Sequence, residues 1–199
     1  MFDFSFRGTR IVFCFSFVAV AVICILLYDE AVIYLSLASS LAHEAGHLAF
    51  MKLFGVRIRE IKFYGGGIGI SATDEPLSYP KQMLIACGGI LINLLLCVIS
   101  YSFSKTLFYI NLALAIFNLL PIGYLDGAEI VSLSMHRFPR SEKVFALIKI
   151  IAVAGISAIG LYIAVKGASI SALITVLFLV AASAATLKKD HTRKKPPKA

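Results

Sequence analysis

The sequence predicts an all-α polytopic membrane protein: about six transmembrane helices, a three-helix core, and a short membrane-associated β-strand segment. Three observations carry this. The first is composition: 59% of the 199 residues are hydrophobic, only 15% are charged, and the mean hydropathy is +0.89. A soluble domain is about half apolar and about a quarter charged, and so few charges cannot cover a water-facing surface. The second is the recurrence of apolar runs near the ~20 residues that a helix needs to cross a bilayer. The third is the placement of Lys and Arg along the chain.

The runs fall at about 11–28, 31–54, 82–103, 107–135 (broken), 144–165 and 170–187. Arg7 and Arg10 precede the first run, as in a signal peptide, but no small-x-small cleavage site follows before Tyr28, so it is expected to stay as a first helix. With both termini in the cytoplasm, only Lys105 and Lys166 lie outside and every other Lys and Arg lies inside, which satisfies the positive-inside rule. A membrane domain over 1–187, with its core at 31–135, and a basic disordered cytoplasmic tail over 188–199 follow. The net charge of +8 is concentrated in that tail, next to an apolar run. This suits retention inside and contact with anionic lipid, and no nucleic-acid partner is expected. Cys14, Cys24, Cys87 and Cys97 lie inside apolar runs without C-x-x-C spacing, so neither a disulfide framework nor a cysteine-bound metal is expected.

One stretch is not helical. Over 55–80, Val56, Ile58, Ile61 and Phe63 alternate with charged residues, with a slip at Arg59–Glu60, and Gly65-Gly66-Gly67-Ile68-Gly69 follows. Alternation argues for a strand and the glycines for a bend. An edge strand here, just past the second run, could pair with an unwound peptide.

The second run holds His43-Glu44-Ala45-Gly46-His47. H-E-x-x-H on a helix sets two imidazoles one turn apart on one face, within reach of one metal ion, with the Glu placed to act as general base on water. An acid within a spanning helix costs about 2.5–3.5 kcal/mol on insertion scales, a cost that points to a use. Catalytic zinc takes three protein ligands and keeps one position open. Asp29 and Glu30 sit at the opposite membrane surface, whereas Asp126 and Glu129, one turn apart in the fourth run, share the depth of the histidines. Depth does not separate these two. Pro121 breaks the fourth run five residues before Asp126, and broken membrane helices occur where they are buried in protein or line a watery cavity. His136 and His191 are given no role.

His43-Glu44-x-x-His47 followed by Asn118-x-x-Pro121-x-x-x-x-Asp126-Gly127 resembles the site-2 protease family of intramembrane zinc metalloproteases. The resemblance covers roughly 31–135. It implies Asp126 as the third ligand of a Zn2+ ion held with His43 and His47, and Glu44 as the catalytic base. The family also tends to carry Gly-Pro-x-x-Asn on the intervening helix. Here Gly89-Ile90-Leu91-Ile92-Asn93 stands in that place, with Ile90 for the proline. Asn93 then holds substrate or the developing oxyanion; the alternative is an Asn bonded to a neighbouring helix. Gly123-Tyr124 stand where the family often has prolines.

The resemblance implies hydrolysis of peptide bonds in or beside transmembrane segments, with membrane-associated proteins as substrates and regulatory membrane proteins as partners. The small six-run build resembles the family's sporulation branch, which processes a sigma-factor precursor. That branch implies a bacterial inner or forespore membrane. Two rival functions make different demands. A metal transporter would want acids or histidines through several runs, and the first, fifth and sixth lack them inside; an inactive scaffold would have lost Glu44 or a ligand.

Overall fold

The structure, a computed structural model, describes residues 1–135 except 7, 28–29, 66, 73–76 and 123–124, together with isolated positions between 144 and 162. Residues 1–116 and 117–199 form two compact units.

The first unit begins with a sheet. Strands β1 (Phe2–Phe6) and β2 (Thr9–Phe13) form an antiparallel hairpin, and β3 (Ile58–Tyr64) and β4 (Gly67–Ala72) form a second. β2 and β3 pair in parallel, which gives the order β1-β2-β3-β4. The expected strand segment is therefore a hairpin, and its irregularity lies between Ile58 and Glu60, where the alternation slips in the sequence. Two expectations are corrected. The chain is not all-α. The first apolar run also does not begin as a helix at residue 11: residues 11–13 lie in β2, and helix α1 covers Phe15–Leu27. β-Branched and aromatic residues fit a pleated surface, and Ile11, Val12 and Phe13 are completed by backbone pairing to β3 that hydropathy does not report.

α1 has 13 residues, about 20 Å at 1.5 Å per residue, against a hydrocarbon core of about 30 Å. α2 (Glu30–Leu53) and α3 (Tyr79–Ser100) match the second and third runs within a few residues. α3 is long and apolar enough to cross a membrane, and among the described residues it alone meets that test. α2 stops at Gly55, whose φ of +73° admits a left-handed turn. There Val56 N–H donates to Met51 O and Gly55 N–H to Lys52 O, at 2.9 and 3.1 Å, the paired bonds of a Schellman cap. Pro80 lies in the first turn of α3, where its missing N–H costs nothing.

Among the described helices α2 and α3 share the most extensive contact, and the reason is local. A Cβ on Gly88 would lie 2.8 Å from Gly46 O and 2.9 Å from the Phe50 ring, and a Cβ on Gly46 would collide with Gly88 O. Glycine on both sides lets the two backbones touch. α4 (Lys105–Asn118) is tied to α2 by a buried polar contact: Asn111 Nδ2 donates to Ser39 Oγ at 3.1 Å and to Leu107 O at 2.9 Å. A hydrogen bond of this kind replaces the water that an amide would otherwise need.

In the second unit, α5 (Asp126–Met135) follows the break after Asn118. Tight backbone bonds cross the break, Leu120 N to Phe117 O at 3.1 Å and Ile122 N to Leu120 O at 2.8 Å, and Ile122 is 1% exposed. The interruption expected from Pro121 is present. The sixth run, and the fifth apart from isolated positions, lie outside the described residues, as does the tail.

Candidate metal and catalytic site

His43 and His47 lie on α2 one turn apart and are buried, at 5% and 9% exposure. Their Nε2 atoms are 3.2 Å apart. Two imidazole nitrogens that share a tetrahedral zinc at about 2.0–2.1 Å each would lie about 3.3 Å apart, so the spacing fits a common ion. The tautomer fits as well. His47 Nδ1 is 2.8 Å from Ile85 O on α3. A carbonyl can only accept, so Nδ1 carries the proton and Nε2 presents a lone pair toward His43. A ring nitrogen bonded to a backbone carbonyl is how metal-ligating histidines are commonly oriented.

Gly89 makes the space for this pair. A Cβ there would stand 2.5 Å from His43 Cε1, His43 Nε2 and His47 Nε2. The two rings therefore lie against bare backbone of α3. Sequence reasoning gave Gly89 no role; the signal was its place four residues before Asn93. Gly46, inside the H-E-x-x-H run, was also passed over, although it brings α3 this close.

Asp126 is the first residue of α5 and is half-buried. His43, His47 and Asp126 form a group able to hold a metal ion: each offers one ligand atom, and these atoms all lie within 4.8 Å of one another. Glu129, which depth did not separate from Asp126, is exposed and is not in the group. Gly127 next to Asp126 is obligatory, since a Cβ would collide with the carbonyl of Leu119 and lie 2.7 Å from Leu120 O. Two nitrogens and a carboxylate oxygen are a donor set that suits zinc.

Glu44 follows His43 on α2 and is half-buried. Asn93 on α3 is 0% exposed, and among the described residues neither end of its side-chain amide has a hydrogen-bond partner. A buried amide left unpaired costs about 1–3 kcal/mol, so the Asn93 side chain has unspent hydrogen-bonding capacity. The interhelical bond weighed for it in the sequence is made instead by Asn111.

The family model for peptidase family M50 matches residues 100–159, which contain the Asn118–Gly127 motif. Among solved structures, the site-2 protease from Methanocaldococcus jannaschii shares the fold, with a TM-score of 0.62 and 23% identity over 92% of this chain and 94% of that one. None of the curated proteins compared with the chain matches it. The resemblance read from the two motifs is borne out in kind: the M50 family model matches over the segment that carries the second motif, and the site-2 protease shares the fold.

Proposed function

We propose that this chain is an intramembrane zinc metalloendopeptidase that hydrolyses peptide bonds within or next to transmembrane segments of membrane-associated proteins. The observation that carries the reading is the group of His43, His47 and Asp126 ligand atoms within 4.8 Å, with Glu44 on the same helix beside His43. Membrane metalloprotease function has the support of the family match, and neither comparison favours a transporter. His43, His47 and Asp126 would hold the ion, and Glu44 would be the base.

When bound, zinc supplies Lewis acidity to the attacking water and to the scissile carbonyl. Glu44 accepts the proton from that water at its carboxylate and passes it to the leaving amine. The backbone bond from Ile85 keeps the His47 ring oriented throughout. Asn93 Nδ2 is proposed to donate to the substrate carbonyl or the oxyanion that develops from it, which gives its buried amide a partner. A helical substrate hides its carbonyls, so it must unwind. β4, at the end of the strand order, offers an edge on which the unwound segment can pair.

The six-span arrangement with both termini in the cytoplasm belongs to this proposal, supported by the one-sided distribution of Lys and Arg. So does a bacterial inner or forespore membrane, with a sigma-factor precursor as substrate and membrane proteins as regulators, supported by resemblance to the sporulation branch. The test is Glu44→Gln in the full chain. Metal content should match wild type while cleavage of membrane-fraction substrates, read by proteomics, disappears. Cleavage near the wild-type rate would remove Glu44 from the chemistry.

A further inference from the structure

β1 ends the strand order: one of its edges pairs with β2, and the other meets no strand among the described residues. All 5 of its residues are exposed. An open edge is a template for another chain unless Pro, Lys or a bulge blunts it. Phe2-Asp3-Phe4-Ser5-Phe6 holds neither Pro nor Lys, and its register with β2 has no irregularity.

The hairpin fixes which backbone groups point outward. Phe6 pairs with Thr9 across a tight connection, with Gly8 at φ +84°. A connection so short closes on a hydrogen-bonded pair, and such pairs alternate along an antiparallel ladder. Phe2, Phe4 and Phe6 therefore turn their N–H and C=O groups toward β2, and Asp3 and Ser5 turn theirs to the open edge.

The strand alternates apolar and polar residues identically in both directions, so it complements itself. Two copies laid antiparallel with Phe4 opposite Phe4 match along the whole strand. Phe2 then faces Phe6 of the second copy, and Asp3 faces Ser5. The outward groups of Asp3 and Ser5 meet as hydrogen-bonded pairs, and Phe4 meets its equivalent as the closer, non-hydrogen-bonded pair. Other registers fail. A slip of one residue mixes the two faces. A slip of two one way sets Asp3 against Asp3, like charges directly opposite. The same slip the other way runs Asp3 past the end of the facing strand.

Charge favours the matched register. Arg10 pairs with Ser5 in the ladder, and its half-exposed guanidinium lies 2.8 Å from Asp3 and 3.5 Å from Glu60. In the joined sheet Asp3 of the second copy stands in the same row just beyond Ser5, two strand spacings or about 9.5 Å from Arg10. Ser5 is short, so the guanidinium can reach across it to that carboxylate, and the two-fold axis repeats the contact.

We infer that β1 is the interface through which two copies of this chain associate, antiparallel and centred on Phe4, in one continuous sheet. The inference stands apart from the protease reading, because it concerns neither metal nor substrate.

The register specifies its own cross-links. Phe2→Cys, Phe4→Cys and Phe6→Cys are made singly in the full chain and oxidised in membranes, with linked peptides mapped by mass spectrometry against a wild-type background. Phe4→Cys should link to itself, since a non-hydrogen-bonded pair sets the Cα atoms about 4.5 Å apart. Phe2→Cys and Phe6→Cys should each fail to link to themselves, being about 13–14 Å from their equivalents along the strand. Co-expressed, they should link to each other, and this pair decides the register if Phe4→Cys fails to fold. Ser5→Pro removes a donor that the hairpin does not use, so it should raise the dimer dissociation constant, read by light scattering in detergent, at least about tenfold while thermal unfolding is unchanged. Self-links at all three positions would overturn the inference, because they report parallel pairing or chance collision. So would links from β1 to a different protein, the absence of any link above background, or a dimer that Ser5→Pro leaves intact.

Discussion

Gly89→Ala tests the packing of the site without touching a donor atom. The new methyl would sit 2.5 Å from His43 Cε1, His43 Nε2 and His47 Nε2, where ordinary contact begins at 3.4 Å. About 0.9 Å must be found, and metal–ligand distances tolerate about 0.2 Å. α3 cannot simply rotate away, because Ile85 O holds His47 Nδ1 at 2.8 Å from the same helix. If the rings swing instead, the Nε2 pair that faces a common ion at 3.2 Å separates. Loss of an orienting partner alone lowers metal affinity about 10–100-fold, and direct displacement should reach at least that range. Global stability should move far less. Overpacking costs about 1–3 kcal/mol, and Ala in place of Gly in a helix returns about 0.8–1.0 kcal/mol. The two readouts therefore separate. Zinc affinity, titrated into metal-free protein against a chromophoric chelator, should collapse, while thermal unfolding in the same detergent shifts little. Gly155→Ala, which meets nothing within 4 Å, is the control and should match wild type in both. Zinc affinity in Gly89→Ala within about threefold of wild type would refute the argument that the rings abut this backbone.

Further outcomes follow from the same geometry. Asp126→Ala should lose metal while Glu129→Ala keeps it; the reverse pattern in metal analysis would overturn the ligand choice. Gly127→Ala should be severe in both stability and metal content, because its Cβ would strike the Leu119 carbonyl, a backbone atom that cannot turn aside. Asn93→Ala should leave metal content and folding intact, since its amide has no partner among the described residues to lose, yet lower cleavage by about 10²–10³ if that amide stabilises the oxyanion. A proline scan over 67–72 should fall into two alternating sets. Prolines on N–H groups facing β3 should lose the hairpin, and those facing outward should keep fold and metal but lose cleavage. A uniform response along β4 would argue against strand pairing with substrate.

The candidate donors were legible because they are spaced within single helices or within one short motif. The placing of His43 and His47 one turn apart on one face follows from the helical repeat alone, and both prove to be buried. The break before Asp126 follows from Pro121, which has no N–H to continue a helix. Depth left Asp126 and Glu129 equal, since both lie in the first turn of α5, and only the family resemblance chose Asp126. Gly89 was beyond reach for a different reason: its importance lies in an atom it lacks, and only a neighbour's coordinates reveal the collision. The hairpin of β1 and β2 was hidden by hydropathy. Thr9–Phe13 reads as the start of an apolar run, and its pairing partner, β3, lies some fifty residues away. Period-two patterning was visible in Phe2-Asp3-Phe4-Ser5-Phe6, but a run so close to Arg7 and Arg10 reads first as the charged lead of a membrane helix.

One face of α2 carries two demands that a single residue order meets. To share an ion, as proposed above, the two imidazoles must project from it, and α3 must come close enough for Ile85 O to hold one of them. Large side chains between the histidines would satisfy the first and defeat the second. Gly46, one residue before His47, opposes Gly88, and Gly89 follows at the height of the rings. The helices thus touch backbone to backbone directly beside the two imidazoles. In a medium where lipid is as apolar as leucine, such close approach is one of the few forces that hold helices together. Holding the helices and presenting the imidazoles therefore have a single origin, so replacing any of the three glycines should disturb the candidate site through packing while every candidate ligand atom is still present.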